Sequence, residues 1–448
     1  MSNNIDLKKG LDIPIKGAAA QKVVRTVIPE VVAIKPTDFK GLIPRLLVKE
    51  GDKVLAGSPV LADKQNPDIL FTSPVSGTVK EIVRGDKRKL LAVLVETDSE
   101  QKKVDFGAKD ADSLTKEEVK DLLLKSGLWG ALIQRPYGVM ADPSAEPKAI
   151  FVSSFSTAPL APDTDFTLAG KAEYIQAGIT ALTKLTDGGV HLCINKATEA
   201  KSMFAKMDKA IIHGVSGKHP AGNVGVQISH ISPIRKGEIV WTVSPLFVAA
   251  IGHLVQTGKL DLLRKVAITG PAADNPAYVE TLPGAPVKSL TASYEGVRYI
   301  GGDILTGEII GKDGYLGFFQ DQICLISEGT EREILGWAKP FRMNLHSSSK
   351  CYFSWLAPKK LYDMNTNLHG GPRAFVETKC FEDVTPMDIF PIYLIKACLA
   401  GDIDKMEKYG IYEVLPEDLA LCDYVDPSKN DIQDIISKGI DLMIKEMA

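Results

Sequence analysis

A multidomain chain of mixed α/β and α+β class is what the sequence predicts, and three observations carry that reading. Short apolar runs alternate with turn residues at close spacing from Val48 to Val83. Helical periodicity alternates with β-rich runs from Ser113 to Gly258. Strands broken by glycine and proline follow from Lys265, and helices take over after Pro386. The 448 residues have length for about three domains. The changes of pattern divide the chain at 1–100, 101–260, 261–330 and 331–448.

Charge and composition exclude several function classes. A net charge of −3 gives no general attraction to nucleic acid or acidic membranes. The start MSNNIDLKKG lacks an apolar core, so no signal peptide is expected. The longest span-like apolar run, Leu246 to Val255, falls short of the roughly 20 residues a transmembrane helix needs. A soluble protein, or one held on a membrane by a partner, is expected. Six scattered cysteines without a C-x-x-C pair fit a reducing compartment and structural thiols. None of the seven histidines forms H-x3-H or H-E-x-x-H, so no metal site is expected.

Taken in order, residues 8–23 (KKGLDIPIKGAAAQKV) read as an extended arm, because Pro14 and the glycines interrupt any helix. Val27 to Ile34 is a predicted strand. In the next unit the turns fall at Gly51-Asp52, Gly57-Ser58-Pro59, Asn66-Pro67-Asp68 and Ser76-Gly77, which describes a small folded-over β-sandwich. Gly51-Asp-x-Val54 and Ser73-Pro-x-x-Gly-x-Val79 resemble the two halves of the lipoyl/biotinyl carrier fold. That fold presents a modifiable lysine at a hairpin tip, near where Lys64 stands. Gln-Asn-Pro-Asp after Lys64 makes a looser loop, so a carrier fold without carrier chemistry is expected.

Residues 97–112 form a polar break. Ser113 is the expected cap of a helix with Val119, Leu122, Leu123 and Leu124 on its apolar side. After SGLWGALIQRPYG (126–138) come a strand at 149–155, a helix from Tyr174 to Thr186, a strand at 190–195, a helix from Lys196 to Met207 and a strand at 210–215. This alternation predicts a Rossmann-like α/β layer with a largely parallel sheet. Ser244-Pro245 opens a helix that Gly258 ends. Residues 265–327 read as a mixed-β, β-grasp-like (SLBB-like) unit. Helices are expected at Ile389–Ala400, Ile403–Tyr409 and Ile432–Met447. His219, in GKHPAG, is assigned a backbone-bonding role. The basic–aromatic stretch with Arg342, Lys350, Phe341, Tyr352, Phe353 and Trp355 leaves two readings open, a grip on an anionic partner or a cover for the core.

The order of these units, with KKGLDIPIKG (8–17), GKHPAG (217–222) and GWAKPF (336–341), resembles the A subunits of sodium-translocating NADH:quinone oxidoreductases. More distantly it is similar to a component of Rnf electron transport and to the flavin-bearing subunit of respiratory complex I. The resemblance implies a peripheral subunit on the cytoplasmic face of a bacterial inner membrane, bound to other pump subunits, integral membrane ones among them. NADH, flavin and iron–sulfur cofactors are then expected on those partners. The relatives' flavin loop is Gly-x-Gly-Gly-Ala-Gly-Phe-Pro, whose glycines let backbone N–H groups approach a phosphate. Here only Gly127 and Gly130 remain of it. Their ferredoxin run, C-x2-C-x2-C-x3-C-P, falls on Pro416, Leu419, Cys422 and Asp426, which leaves one thiol of four in a vestigial ferredoxin-like C-terminal region. The expected consequence is a chain without catalytic residues, flavin or cluster. Three roles stay open: scaffold alone, quinone contact through a slot lined by Trp129, Gln134, Arg135 and Tyr137, and a biotin- or lipoate-type carrier using Lys64.

Overall fold

The computed structural model describes residues 4–331, 335–339, 341–375 and 379–447. Its centre is a seven-stranded sheet in the order Ile5–Asp6, Ala210–Ser216, Val190–Asn195, Ile150–Ser153, Val240–Thr242, Ile133–Arg135 and Val139–Met140. The first five strands run parallel, and the last two pairings, at one edge, are antiparallel. The helices Ala172–Leu182 and Pro245–Thr257 pack together on this sheet, and small residues set how close they come. A Cβ at Gly178 would stand 2.0 Å from Val248 O, and one at Gly252 would stand 1.7 Å from Tyr174 O.

Three local readings need correction. The helix Lys116–Ser126 is capped by Thr115, not Ser113. Thr115 Oγ1 accepts from Glu118 N while Glu118 Oε2 accepts from Thr115 N, closing a reciprocal capping box. Ser113 instead donates its hydroxyl to Asp110 O. No α-helix spans Lys196 to Met207; two short 3₁₀ turns, Glu199–Lys201 and Met203–Lys206, stand there. The short polar side chains win over the helix: Asn195 Oδ1 accepts from Ala197 N, and Asp165 Oδ1 accepts from both Ser202 Oγ and Met203 N. The strand expected from Val27 begins only at Val31, because Val27 N is drawn to Glu280 O in another sheet.

The N-terminal sandwich pairs a four-stranded antiparallel sheet (Val31–Ile34, Leu90–Thr97, Gly77–Arg84, Lys53–Val54) with a three-stranded one (Pro44–Leu46, Pro59–Asp63, Leu70–Thr72). Val32, Val60, Phe71, Val75, Val93 and Val95 fill its interior. A mixed six-stranded sheet (Glu308–Ile309, Val297–Gly301, Gln322–Ser327, Arg264–Thr269, Ala277–Thr281, Ala20–Thr26) forms the third unit. The C-terminal helices Pro391–Ala400, Ile403–Tyr409 and Ile432–Met447 surround a core of their own.

The arm is extended, and it stitches these units together. Ile5–Asp6 extends the α/β sheet, Ile13 and Ile15 are buried in the helical core, and Ala20–Thr26 adds a strand beside Ala277–Thr281. Among the described residues, no helix is long and apolar enough to cross a membrane.

Candidate functional site

The strand Ile133–Arg135, one in from the edge of the seven-stranded sheet, carries two of the four residues expected to line a slot. Successive side chains of a strand face opposite sides, so Gln134 and Arg135 diverge. Gln134 Oε1 accepts from Trp241 Nε1 at 3.2 Å, and the Trp241 ring meets Trp129 edge-on at 5.5 Å. Trp129 is fully buried, and its Nε1 donates to Ala141 O at 2.8 Å. Arg135 is also buried, but toward the helical region, where it reaches Asp418 at 2.8 Å and Glu417 at 2.7 Å. Tyr137 packs half-buried against that same region, and burial and Glu407 hold its phenol above the usual range. The structure therefore joins Trp129 to Gln134 through Trp241 and sends Arg135 and Tyr137 to a different seam. The four do not share one opening.

The residues present do not fit a flavin phosphate at the glycine loop. Gly127, at φ +82°, ends the preceding helix beside Thr72, whose hydroxyl donates to Ser126 O. A Cβ on Gly130 would lie 2.9 Å from Phe39 Cε1 and 3.0 Å from Phe71 Cε1. The sandwich side chains Phe39 and Phe71 press directly on Gly130, and Arg135 is already paired with two carboxylates.

The cluster positions do not fit iron either. Leu419 and Cys422 are core residues, and burial pushes the Cys422 thiol upward. Asp426 is committed to the loop after it, accepting from Ser428 N and Asn430 N. Among the described residues no group of three or more His, Cys, Asp or Glu is placed to hold a metal ion.

What the tertiary structure does open is a crevice of about 500 Å³ elsewhere in the α/β unit. From Ile150–Ser153 the chain proceeds outward to Val190–Asn195 and Ala210–Ser216, then returns to Val240–Thr242 on the opposite side. This reversal is a topological switch point, where the carboxyl ends of neighbouring parallel strands part. Phe155, Val243, Phe247 and Phe319 give the crevice apolar walls, and Ser153, Ser244 and Gln320 give it polar ones. The six-stranded sheet contributes Glu308 from a strand, and Asp303 and Asp321 from its loops. Burial raises the Asp321 carboxyl to about 6. Among the described residues that line it there is no Lys, Arg or His. Two helix N-termini, at Val224 and Pro245, reach the crevice, each worth about half a positive charge. Three carboxyl groups face them, and the described lining offers no side-chain cation to a phosphate. Local sequence does not mark these residues. The only signal was that the strand at 149–155 and the helix start at Ser244-Pro245 belong to one parallel layer.

The His219 ring is buried and stands 3.2 Å from the Thr157 hydroxyl. Its expected backbone role is corrected to a side-chain contact, since the loop after the strand Ile150–Ser153 presents Thr157 there.

Known proteins are similar to this chain in sequence over nearly its whole length. The family model described as the NqrA N-terminal barrel-sandwich hybrid domain matches residues 5–98. The NqrA second alpha/beta domain matches 114–260, and the NQRA C-terminal domain matches 265–311. Among the A subunits of Na(+)-translocating NADH-quinone reductases, that of Yersinia pestis is 38% identical over 431 residues, 95% of this chain and 96% of its own. That of Rhodopirellula baltica is 35% identical and covers 98% of both chains. That of Pasteurella multocida is 37% identical over 99% of this chain and 100% of its own. A solved NAD+-reducing [NiFe]-hydrogenase overlaps 48% of this chain and 47% of its own at 12% identity, with a TM-score of 0.32, a likeness too small to decide anything. Near-full-length identity above one third, together with the three matched domains, shows that the chain belongs to the NqrA family, the A subunits of Na(+)-translocating NADH-quinone reductases.

Proposed function

We propose that this chain is a peripheral, cofactor-free subunit of a sodium-translocating NADH–quinone reductase, held on the cytoplasmic face of the membrane by integral partner subunits. NADH, flavin and iron–sulfur chemistry then belong to those partners. The observation that carries this reading is the filled glycine loop, with Gly130 against Phe39 and Phe71 and Arg135 neutralised by Glu417 and Asp418. Purification of the chain alone tests it: the sample should be colourless. Stoichiometric flavin absorbance, or cluster iron after anaerobic preparation, overturns the reading.

A second reading, contact with quinone, is favoured by the switch-point crevice, whose apolar walls and lack of lining cations among the described residues suit a neutral ring. It moves the contact from Trp129, Gln134, Arg135 and Tyr137 to the face beyond Ala131 and Ile133, which the same segment supplies. Ser244 is exposed and its hydroxyl caps no helix N–H, so Ser244→Ala removes a carbonyl donor without uncapping the helix. Loss of such a donor should weaken quinone binding about 2–13-fold. Titration of the chain with quinone that never saturates, or an unchanged affinity in Ser244→Ala and Phe319→Ala, excludes the crevice.

A further inference from the structure

The segment from Leu335 to Leu361 carries Lys339, Arg342, Lys350, Lys359 and Lys360 and no Asp or Glu, within a chain of net charge −3. Four of its large apolar side chains face outward: Phe341 is 81% exposed, Leu335 and Leu356 60%, and Trp355 49%. Ring contacts tie several of these groups together. Phe341 meets Phe353 edge-on at 5.4 Å, Lys350 stands over the Trp355 ring at 5.9 Å, and Arg342 over Tyr352 at 5.3 Å. The base of the surface is fixed. Tyr362 is buried and pairs its backbone with Pro14, and His346 Nδ1 lies 2.6 Å from the Tyr424 hydroxyl.

We infer that this surface seats the chain on an anionic lipid bilayer, with aromatic and leucine tips at the headgroup boundary and Lys350, Lys359 and Lys360, all exposed, on lipid phosphates. Protein interfaces are depleted in lysine, whereas the cations offered to the lipid, Lys350, Lys359 and Lys360, are all lysines. Interleaved lysines and aromatics are what a lipid headgroup layer accommodates, stems against acyl chain and ammonium groups outward. The described secondary structure of the segment is limited to the short 3₁₀ turns Gly336–Ala338 and Phe353–Leu356. Such a backbone cannot leave its polar groups in hydrocarbon, so the insertion is shallow and confined to side-chain tips.

This seating rests on the peripheral-subunit reading only for the presence of a membrane, and vesicle binding tests the surface separately from complex assembly. The full chain is sedimented with vesicles of phosphatidylcholine, with and without anionic phosphatidylglycerol. Binding is expected to need the anionic lipid and to weaken with salt. Lys350→Gln and Lys359→Gln should each lower partitioning about fivefold. Phe341→Ser with Trp355→Ser should lower it further, with melting unchanged because both side chains are exposed. Three results would overturn the inference. The first is no binding of the unmodified chain to anionic vesicles at low salt. The second is binding that both sets of substitutions leave intact. The third is unaltered vesicle binding in variants that detach from the partner subunits, which would give the surface to a protein.

Discussion

Arg135 and Asp418 form a buried ion pair across the seam between the α/β unit and the C-terminal helices, Nη1 to Oδ2 at 2.8 Å, with both side chains at most 2% exposed. Asp418 Oδ2 also accepts from Leu415 N, and Glu417 takes the other arm of the guanidinium. Removing one partner leaves a buried charge uncompensated, which costs about 3–5 kcal/mol. Arg135→Ala should therefore lower unfolding stability by that amount, and Arg135→Met with Asp418→Leu should cost less. Equal stability of Arg135→Ala and the unmodified chain in a denaturant titration would show that the pair is not what closes the seam.

Gly130 is a second position where the fold leaves no room. Gly130→Ala drives a methyl group toward Phe39 and Phe71, and overpacking of this kind costs about 1–3 kcal/mol. A lowered melting temperature is the expected result. A neutral or stabilising effect would mean that the sandwich does not press on the loop and leaves room there for a flavin.

His191 and His213 stand on adjacent parallel strands, Nδ1 to Nε2 at 2.9 Å, with Phe151 stacked on His191. Burial, and then His191, lower His213 from 6.5 to about 4, and burial also lowers His191. Between these values the unfolded chain binds a proton that the native chain refuses. The stability is thus complete above about pH 6.5 and is lost as pH falls toward 4. Denaturation midpoints at neutral and mildly acid pH should separate less in His213→Gln than in the unmodified chain. An identical separation in both would assign the acid sensitivity to other groups.

Lys64 is exposed, and its backbone N–H donates to Ile43 O. Lys64→Ala should change stability by no more than about 0.5 kcal/mol and leave complex assembly and turnover as they were. The intact mass of the chain isolated from cells should equal that of its sequence. Added mass on Lys64, or turnover lost with assembly intact, would restore the carrier role.

Much of the fold was legible because local chemistry is enough to define it. Gly258, at φ +68°, ends the helix Pro245–Thr257 where a residue with an L side chain is strained, and the glycine alone announces it. The helices Ile403–Tyr409 and Ile432–Met447 fall where their apolar period puts them. The missing helix at 196–207 shows the limit of that period. Its apolar residues were well spaced, but Asp165, distant in sequence, was available to bind the turn at Ser202 and Met203.

The sequence alone also determined what the glycine loop and the cluster run lack, since absent thiols and glycines need no coordinates to be counted. Where the remaining side chains would point was a matter for the tertiary structure. A strand sends neighbouring residues to opposite faces, so the partners of Gln134 and Arg135 depended on which elements lay on each side. The switch-point crevice depended on strand order, in which Ile150–Ser153 lies beside both Val190–Asn195 and Val240–Thr242. Strand order is a long-range pairing, set by packing over the whole sheet, and no local pattern of residues encodes it.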